Sequence, residues 1–452
     1  MNNFRPIDRD TGFLLPPSVD EWLPERHLAR FVVEVVAGLD LRSMTGSYRG
    51  SGEAPYHPEL LLGLIIYGYA SGVFSSRKLE RATYDSVAFR FIAANQHPDH
   101  DTIAVFRRRF LAQIAPLFAQ VLCVAREMGV LQLGTVALDG TKIHANASRH
   151  SALSYEHADR IEAQLQAEVA DLLAKAEATD QADVPDGMSV PAELARREQR
   201  LAALARAKAT IEARAKERHA FERAEHEAKL KAREAKTAAT GKKPPGRPPA
   251  APVEGPLPTD QVNLTDQGSR IMPVAGGGFE QCYNAQAAVT AGLLVIAADV
   301  VQAPNDKQQL EPMLGKLADL PDELGTTDAL LADNGYFSES NVNACAAAGI
   351  APLIAMGREA HHPTLDERFA EAPEPPTDPT PLEAMQHRLK TPEGKKLYAL
   401  RKQMPEPVFG IIKSVLGFRQ FLLRGLDNVR GEWTLVTMAW NIKRMFVLAG
   451  AN

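Results

Sequence analysis

"VALDGTKIHA", Val136 to Ala145, is the stretch on which the reading of the fold turns. Val136, Ala137 and Leu138 form a short apolar run ahead of a turn residue, the pattern of a strand covered on both faces. Asp139 is then expected at the strand's tip, with Gly140, Thr141 and Lys142 directly behind it. A carboxylate in that place is either turn chemistry, for which Asp-Gly is common, or a metal ligand. The stretch alone leaves both readings open.

"LLADNGYFS", Leu330 to Ser338, repeats the logic: an apolar strand, an aspartate at its end, a small polar turn with glycine. In a mixed sheet, neighbouring strand ends would set Asp139 and Asp333 side by side. Two carboxylates so placed repel each other unless one is protonated or a cation bridges them. Mg²⁺ suits that bridge, because it is hard and is usually held by one or two carboxylates plus phosphate oxygens. Two such ions about 3.5 to 4 Å apart clamp the attacking and leaving oxygens of a phosphodiester displacement.

A third carboxylate is expected on a helix packed near those strand ends, and Glu406 is the candidate. Glu406, Gly410 and Lys413 are spaced i, i+4, i+7 and would share one helical face. Pro405 and Pro407 can open a new helix with Glu406 in its first turn, where proline is tolerated. From Met385 to Arg424 nine Lys or Arg stand against two acids, so the segment suits a phosphate, with a solvated basic face as the alternative.

Further out, strands and helices alternate. "FEQCYNAQAAVTA" and "LLVIAADVVQA" read as adjacent strands joined at Gly292, followed by helix, strand ("ALLADNGYF"), helix, strand ("APLIAM") and a helix from Pro381 to Gln403. With the Val136 strand first, that order predicts a mixed α/β sheet flanked by helices. Residues 1–130 read as a helical N-terminal domain for DNA binding or dimerisation. Arg77, Lys78 and Arg81, and Arg107, Arg108 and Arg109, suit a helix-turn-helix-like module or solvated basic faces.

Residues 151–250 hold 35 of the chain's 107 charged residues, with alanine filling much of the rest, so a long helical hairpin is expected there. It ends in "TGKKPPGRPPAAPVEGP", a basic proline-rich linker. The domain reading is therefore 1–130, then 131–150 as the first strand of the core, 151–257 as a charged helical insertion and linker, and 258–452 as the remainder of the core.

The 452 residues are enough for two or three domains, and a net charge of −5 weighs weakly against a nucleic-acid partner, although local patches decide binding. Cys123, Cys282 and Cys345 lack metal-binding spacing and read as reduced thiols of a cytoplasmic protein. No secretion signal opens the chain. "LLLGLIIYGYASGV", Leu60 to Val73, is too short to span a bilayer and reads as a buried helix, so no membrane partner is expected. His97, His100, His361 and His362 have no zinc-finger spacing and read as surface residues; Trp433 and Trp440 read as core.

Tyr398, Arg401, Glu406 and Lys413, met as Y-x2-R-x4-E-x6-K, together with "LDGTKIHANAS", "ADNGYFS", "GGFEQCYNAQAAV" and "NDKQQLEPML", resemble the signature of bacterial insertion-sequence transposases of the DDE type. That resemblance implies a ribonuclease-H-like catalytic core, with Asp139, Asp333 and Glu406 as catalytic, metal-binding residues. It implies that Tyr398, Arg401 and Lys413 contact terminal phosphates and a displaced base, with Lys142, Arg107 and Arg108 as further candidate DNA contacts. It also implies two Mg²⁺ per site, Mn²⁺ being a possible substitute, and double-stranded DNA, both element ends and target, bound by a homodimer in the bacterial cytoplasm. The activity would be cleavage of element ends and joining of the 3′-hydroxyl to target DNA. The alternatives are a nuclease without strand transfer and a non-catalytic DNA-binding protein.

Overall fold

The computed structural model describes residues 18–48, 55–179, 190–242, 246–274, 276–357, 374 and 376–451. His361 and His362, and Lys243 to Pro245 of the basic linker, lie outside the described residues. The chain divides into two compact units. One takes residues up to Asn146, Met272–Gly277 and Cys282–Asn452; the other takes Ala147–Ile271 and Gly278–Gln281.

The six-stranded sheet is built from β1 (Gly134–His144), β4 (Arg270–Pro273), β5 (Phe279–Thr290), β6 (Val295–Val301), β7 (Thr327–Ala332) and β8 (Ala351–Ile354). Their order is β4-β5-β1-β7-β8, with β6 also paired to β5. β1 runs antiparallel to β5 and parallel to β7, β5 antiparallel to β6, and β7 parallel to β8. This mixed sheet is the ribonuclease-H-like arrangement.

The central strand departs from expectation in one respect. β1 does not end at Asp139 but continues to His144, because β5 pairs with it as far as His144↔Cys282. On its other side β7 stops at Ala332, and the pairing ends at Ala137↔Leu331. Asp139 therefore stands where β1 loses one neighbour and keeps the other.

Helices α1 (Leu28–Ala37), α2 (Arg42–Thr45), α3 (Pro58–Ser71), α4 (Ser76–Asp85), α5 (Val87–Ile92), α6 (His100–Phe110) and α7 (Ile114–Glu127) precede the sheet. The apolar run from Leu60 forms α3, whose residues Leu61 to Ala70 are all buried. Gly72 ends it in the left-handed region (φ 83°), where a Cβ would come within 2.8 Å of the Leu416 carbonyl oxygen. α4 leaves at 95° to α3, the angle of a helix-turn-helix corner. Among the described residues one helical stretch, His100–Glu127, is long and apolar enough to cross a membrane, and part of it is buried inside the protein.

After β6 come α10 (Leu310–Ala318) and α11 (Glu339–Ala347). The single helix expected from Pro381 is broken into α12 (Pro381–Lys390) and α13 (Pro392–Ala399). Thr391 is extended, and its hydroxyl caps the Gly394 N–H, because Pro392 starts a helix more readily than it continues one. α14 (Pro405–Gly410) follows, and α15 (Leu426–Ala451) closes the fold.

α15 joins the sheet to the N-terminal helices. Trp433 Nε1 donates to Gln286 O at 3.0 Å and Trp440 Nε1 to Leu293 O at 2.8 Å, so both tryptophans are buried as expected. The Asn441 amide donates to Val295 O at 2.7 Å and accepts from Val295 N at 2.8 Å, capping the start of β6. Glu432, fully buried, accepts from Tyr69 Oη at 2.9 Å and from the Leu422 and Leu423 N–H groups at 3.0 Å each. Burial pushes its carboxyl above the ordinary glutamate value.

The second unit is the charged segment. α8 (Tyr155–Thr179) and the 51-residue α9 (Val190–Thr240) form the expected hairpin, closed at its base by β2 (Ala152–Ser154) paired with β3 (Gln261–Asn263). It has a small core of its own, in which Leu153, Ala158, Leu165, Leu204, Ala207, Ile211 and Val262 are buried together. Ion pairs flank that core: Lys208 with Asp159 and Glu162, and Arg218 with Asp260.

Candidate active site

The β1–β7 register, carried two residues past Ala137↔Leu331, brings Asp139 level with Asp333. Each carboxylate also closes a tight local contact. Asp139 Oδ1 accepts from the Gly140 N–H at 2.8 Å, and Asp333 Oδ1 caps the turn after β7 by accepting from the Gly335 N–H at 2.8 Å. The turn reading and the ligand reading are thus compatible in the same residues.

Burial pushes the Asp139 carboxyl up to about 7. The Gly140 N–H opposes that rise and the charges of Asp333 and Asp306 add to it, while Arg401 works against it.

Glu406 lies in the first turn of α14, with Pro405 at the helix start, as expected from the sequence. Its side chain is 52% exposed and faces Arg401, whose Nη2 lies 3.7 Å from Glu406 Oε1. Arg401 Nη1 lies 3.9 Å from Asp139 Oδ2, so one guanidinium, 13% exposed, stands between two of the expected ligands. Its Nε is buried and has no hydrogen-bond partner among the described residues.

Tyr398 Oη donates to Ala332 O at 3.3 Å, the carbonyl just before Asp333. Beyond α14 the chain takes a π-helical turn over Ile411–Val415. That wider turn moves Lys413 off the face it would share with Glu406 in a regular helix. Lys413 Nζ reaches β1 instead, donating to Thr141 Oγ1 at 2.9 Å and to Lys142 O at 3.5 Å. Burial holds its ammonium below the usual lysine value.

Two family models match the chain: Transposase domain (DUF772) over residues 17–109, and Transposase DDE domain over residues 377–446. Both matches support an insertion-sequence transposase of the DDE type. The DDE match takes in Tyr398, Arg401, Glu406 and Lys413; Asp139 and Asp333 lie outside it. No curated protein and no solved structure matches the transposase.

The donor set of this transposase suits a hard divalent ion in kind, since neighbouring carboxylates answered by a single guanidinium are what such an ion neutralises. Among the described residues, however, no three His, Cys, Asp or Glu side chains converge closely enough to hold an ion. Asp139 and Asp333 are level with each other, while Glu406 is turned to Arg401.

Other sequence candidates are distributed differently. Lys142 pairs in register with Asn284, on the sheet face opposite Thr141, and burial lowers its ammonium while Asp306 raises it. Arg107 is engaged internally, donating to Tyr69 Oη at 3.1 Å and Phe74 O at 3.2 Å, because Tyr69 and Glu432 make a polar hub beneath it. Arg108 is exposed and lines a cleft with Lys316 and Arg430. His100 binds Glu80 at 2.7 Å and His97 stacks on Tyr84 at 3.9 Å.

The sequence reading missed Asp306, Gln286 and Tyr336 of the transposase. Asp306 Oδ1 accepts from Asn284 Nδ2 and from Gln286 Nε2, each at 2.7 Å, beside Gly140. The available signal was two amides, Asn284 and Gln286, in a strand that is otherwise mostly apolar and buried.

Proposed function

We propose that the chain cuts DNA at the ends of its element and joins the freed 3′-hydroxyl to target DNA, with Asp139, Asp333 and Glu406 as ligands of divalent metal ions. The observation that carries this reading is the gathering of Tyr398, Arg401 and Lys413 onto β1 and the end of β7, beside Asp139 and Asp333. Asp139, Asp333 and Glu406 would hold the Mg²⁺ or Mn²⁺, which would supply Lewis-acid charge to phosphorus-bound oxygens and would lower the pKa of the attacking water or 3′-hydroxyl.

The chain's own groups bind and orient the substrate. Arg401 has a planar fork suited to two phosphate oxygens, and its present partners are carboxylates at 3.7 and 3.9 Å, beyond hydrogen-bond range. Turning to a phosphate releases Glu406. Lys413 adds a cation at the β1 edge of the site, and the ring of Tyr398, tethered to β7 through its hydroxyl, offers a face on which a displaced base stacks. Arg108 on α6 contributes a phosphate contact at the protein surface, and two element ends imply a homodimer on DNA.

The test is Asp139→Ala, Asp333→Ala and Glu406→Gln in a full-length background. Each is expected to abolish Mg²⁺- or Mn²⁺-dependent strand cleavage while end-DNA binding stays within a few-fold. Near wild-type cutting by any one of them removes that residue from the ligand set. Cutting without joining by the wild type indicates a nuclease, and binding without cutting a non-catalytic DNA-binding protein.

A further inference from the structure

Beneath the Asp139 face of the sheet, a ring of hydrogen bonds ties together three segments that are distant in sequence. It begins at Asp306, in the loop after β6, whose Oδ1 receives both the Asn284 and Gln286 amides from β5. Because Gln286 donates through Nε2, its Oε1 faces the other way and accepts the Tyr336 hydroxyl. Tyr336, fully buried, lies in the turn that Asp333 caps, and its N–H donates to Asp333 O at 3.2 Å. The ring closes through Asn341 on α11, whose Nδ2 donates to Tyr336 O at 2.6 Å and to Lys307 O at 2.7 Å, next to Asp306.

β1 meets this ring with no side chain in between. A Cβ on Gly140 would lie 2.3 Å from Gln286 Nε2 and 2.6 Å from Asp306 Oδ1. The glycine that follows Asp139 is therefore needed for close approach, and it transmits the ring's position to the residue beside it.

We propose that Asp306, Gln286 and Tyr336 are positioning residues that lock the Asp333 turn against β1 and so set its spacing from Asp139. The proposal rests on the reading that Asp139 and Asp333 share a divalent ion. Outer hydrogen-bond partners of this kind change metal affinity about 10- to 100-fold when removed. The role assigned to Asp306 is that of a fixed acceptor for two amides, a role in which its charge is secondary.

Three full-length variants separate these ideas. Tyr336→Phe removes one hydroxyl; Asp306→Ala removes the double acceptor; Asp306→Asn keeps an acceptor oxygen and removes the charge. Mn²⁺ affinity is measured by calorimetry without DNA, alongside thermal unfolding and the Mn²⁺ concentration that half-saturates end cleavage. Tyr336→Phe and Asp306→Ala are expected to weaken Mn²⁺ binding by about 10-fold or more, with a matching rise in half-saturating Mn²⁺. Asp306→Asn is expected to restore affinity to within about two-fold of wild type, far from the loss in Asp306→Ala.

Wild-type Mn²⁺ affinity in Tyr336→Phe overturns the proposal, as does an Asp306→Asn variant no better than Asp306→Ala. If Asp306→Ala fails to fold, the other two variants decide. Asp139→Ala, run in parallel, tests the underlying reading: undiminished Mn²⁺ binding and cutting there would show that the metal site itself was misassigned.

Discussion

Asp139 keeps its proton to about pH 7 because burial and the charges of Asp333 and Asp306 outweigh the Gly140 N–H and Arg401, which oppose them. Its unfolded-state value is near 3.9, so the folded chain binds more protons than the unfolded chain between about pH 4 and pH 7. Ionisation therefore costs stability, and the metal-free protein should become less stable as pH rises through that window. A shift of this size corresponds to at most about 4 kcal/mol. Asp139→Asn, which keeps an oxygen for the Gly140 N–H, should melt higher than wild type at pH 8 in chelator and lose that advantage at pH 4. Added Mn²⁺ should raise the wild-type melting temperature and leave that of the variant nearly unchanged. Equal melting curves for the two proteins at pH 8 in chelator would mean that Asp139 is better solvated than its burial implies.

At the level of single elements, the strand and helix that carry the ligands differ in how much of them could be read beforehand. The helix start at Pro405 was legible, since proline and a first-turn acid mark it directly. The continuation of β1 past Asp139 was not, because a residue pattern cannot report that one neighbour stops at Ala332 while the other pairs to Cys282. Nor was the π turn after Gly410, which shifts Lys413 without leaving a mark in spacing. The ring through Asp306 was hidden for a related reason: Gln286, Asp306 and Tyr336 lie in three separate segments and meet only once the sheet exists.

Two glycines put the close approach of β1 to a test. Gly140→Ala forces a methyl into Gln286 and Asp306 and is expected to lower stability by about 1–3 kcal/mol and to abolish cleavage. Gly410→Ala in α14 meets nothing within 4 Å and is expected to be neutral or to stabilise by up to about 1 kcal/mol. Chemical denaturation of both variants beside wild type measures the difference. Equal effects would remove the argument from close approach.

For the whole molecule, the division into two units suggests where the chain can be cut. β2 and β3 bring the ends of the charged segment into register at Ser154↔Gln261, so the insertion leaves and returns at neighbouring points. Loop-closure cost grows only logarithmically with length, which makes so long an excursion tolerable. Residues 147–271 expressed alone should be helical and melt cooperatively through the Leu165–Ile211 core. The remainder, joined by a short Gly-Ser linker, should retain a thermal transition and lose joining of paired ends. Collapse of that transition would show that the sheet depends on the insertion.

The way α15 is placed also bears on how the protein is made. Tyr69, Trp433 and Asn441 bind the first helices, β5 and β6 to a helix that begins only at Leu426. During synthesis the strands emerge long before it does. Val295 must wait for Asn441, and the Tyr69 hydroxyl, already within reach of Arg107, must wait for Glu432, until the last helix clears the ribosome. A nascent chain arrested anywhere before residue 426 has an uncapped strand edge and an open apolar layer, the features that recruit other chains. Truncated copies of this gene are therefore expected in inclusion bodies, and assembly of the active site is deferred until translation is nearly complete.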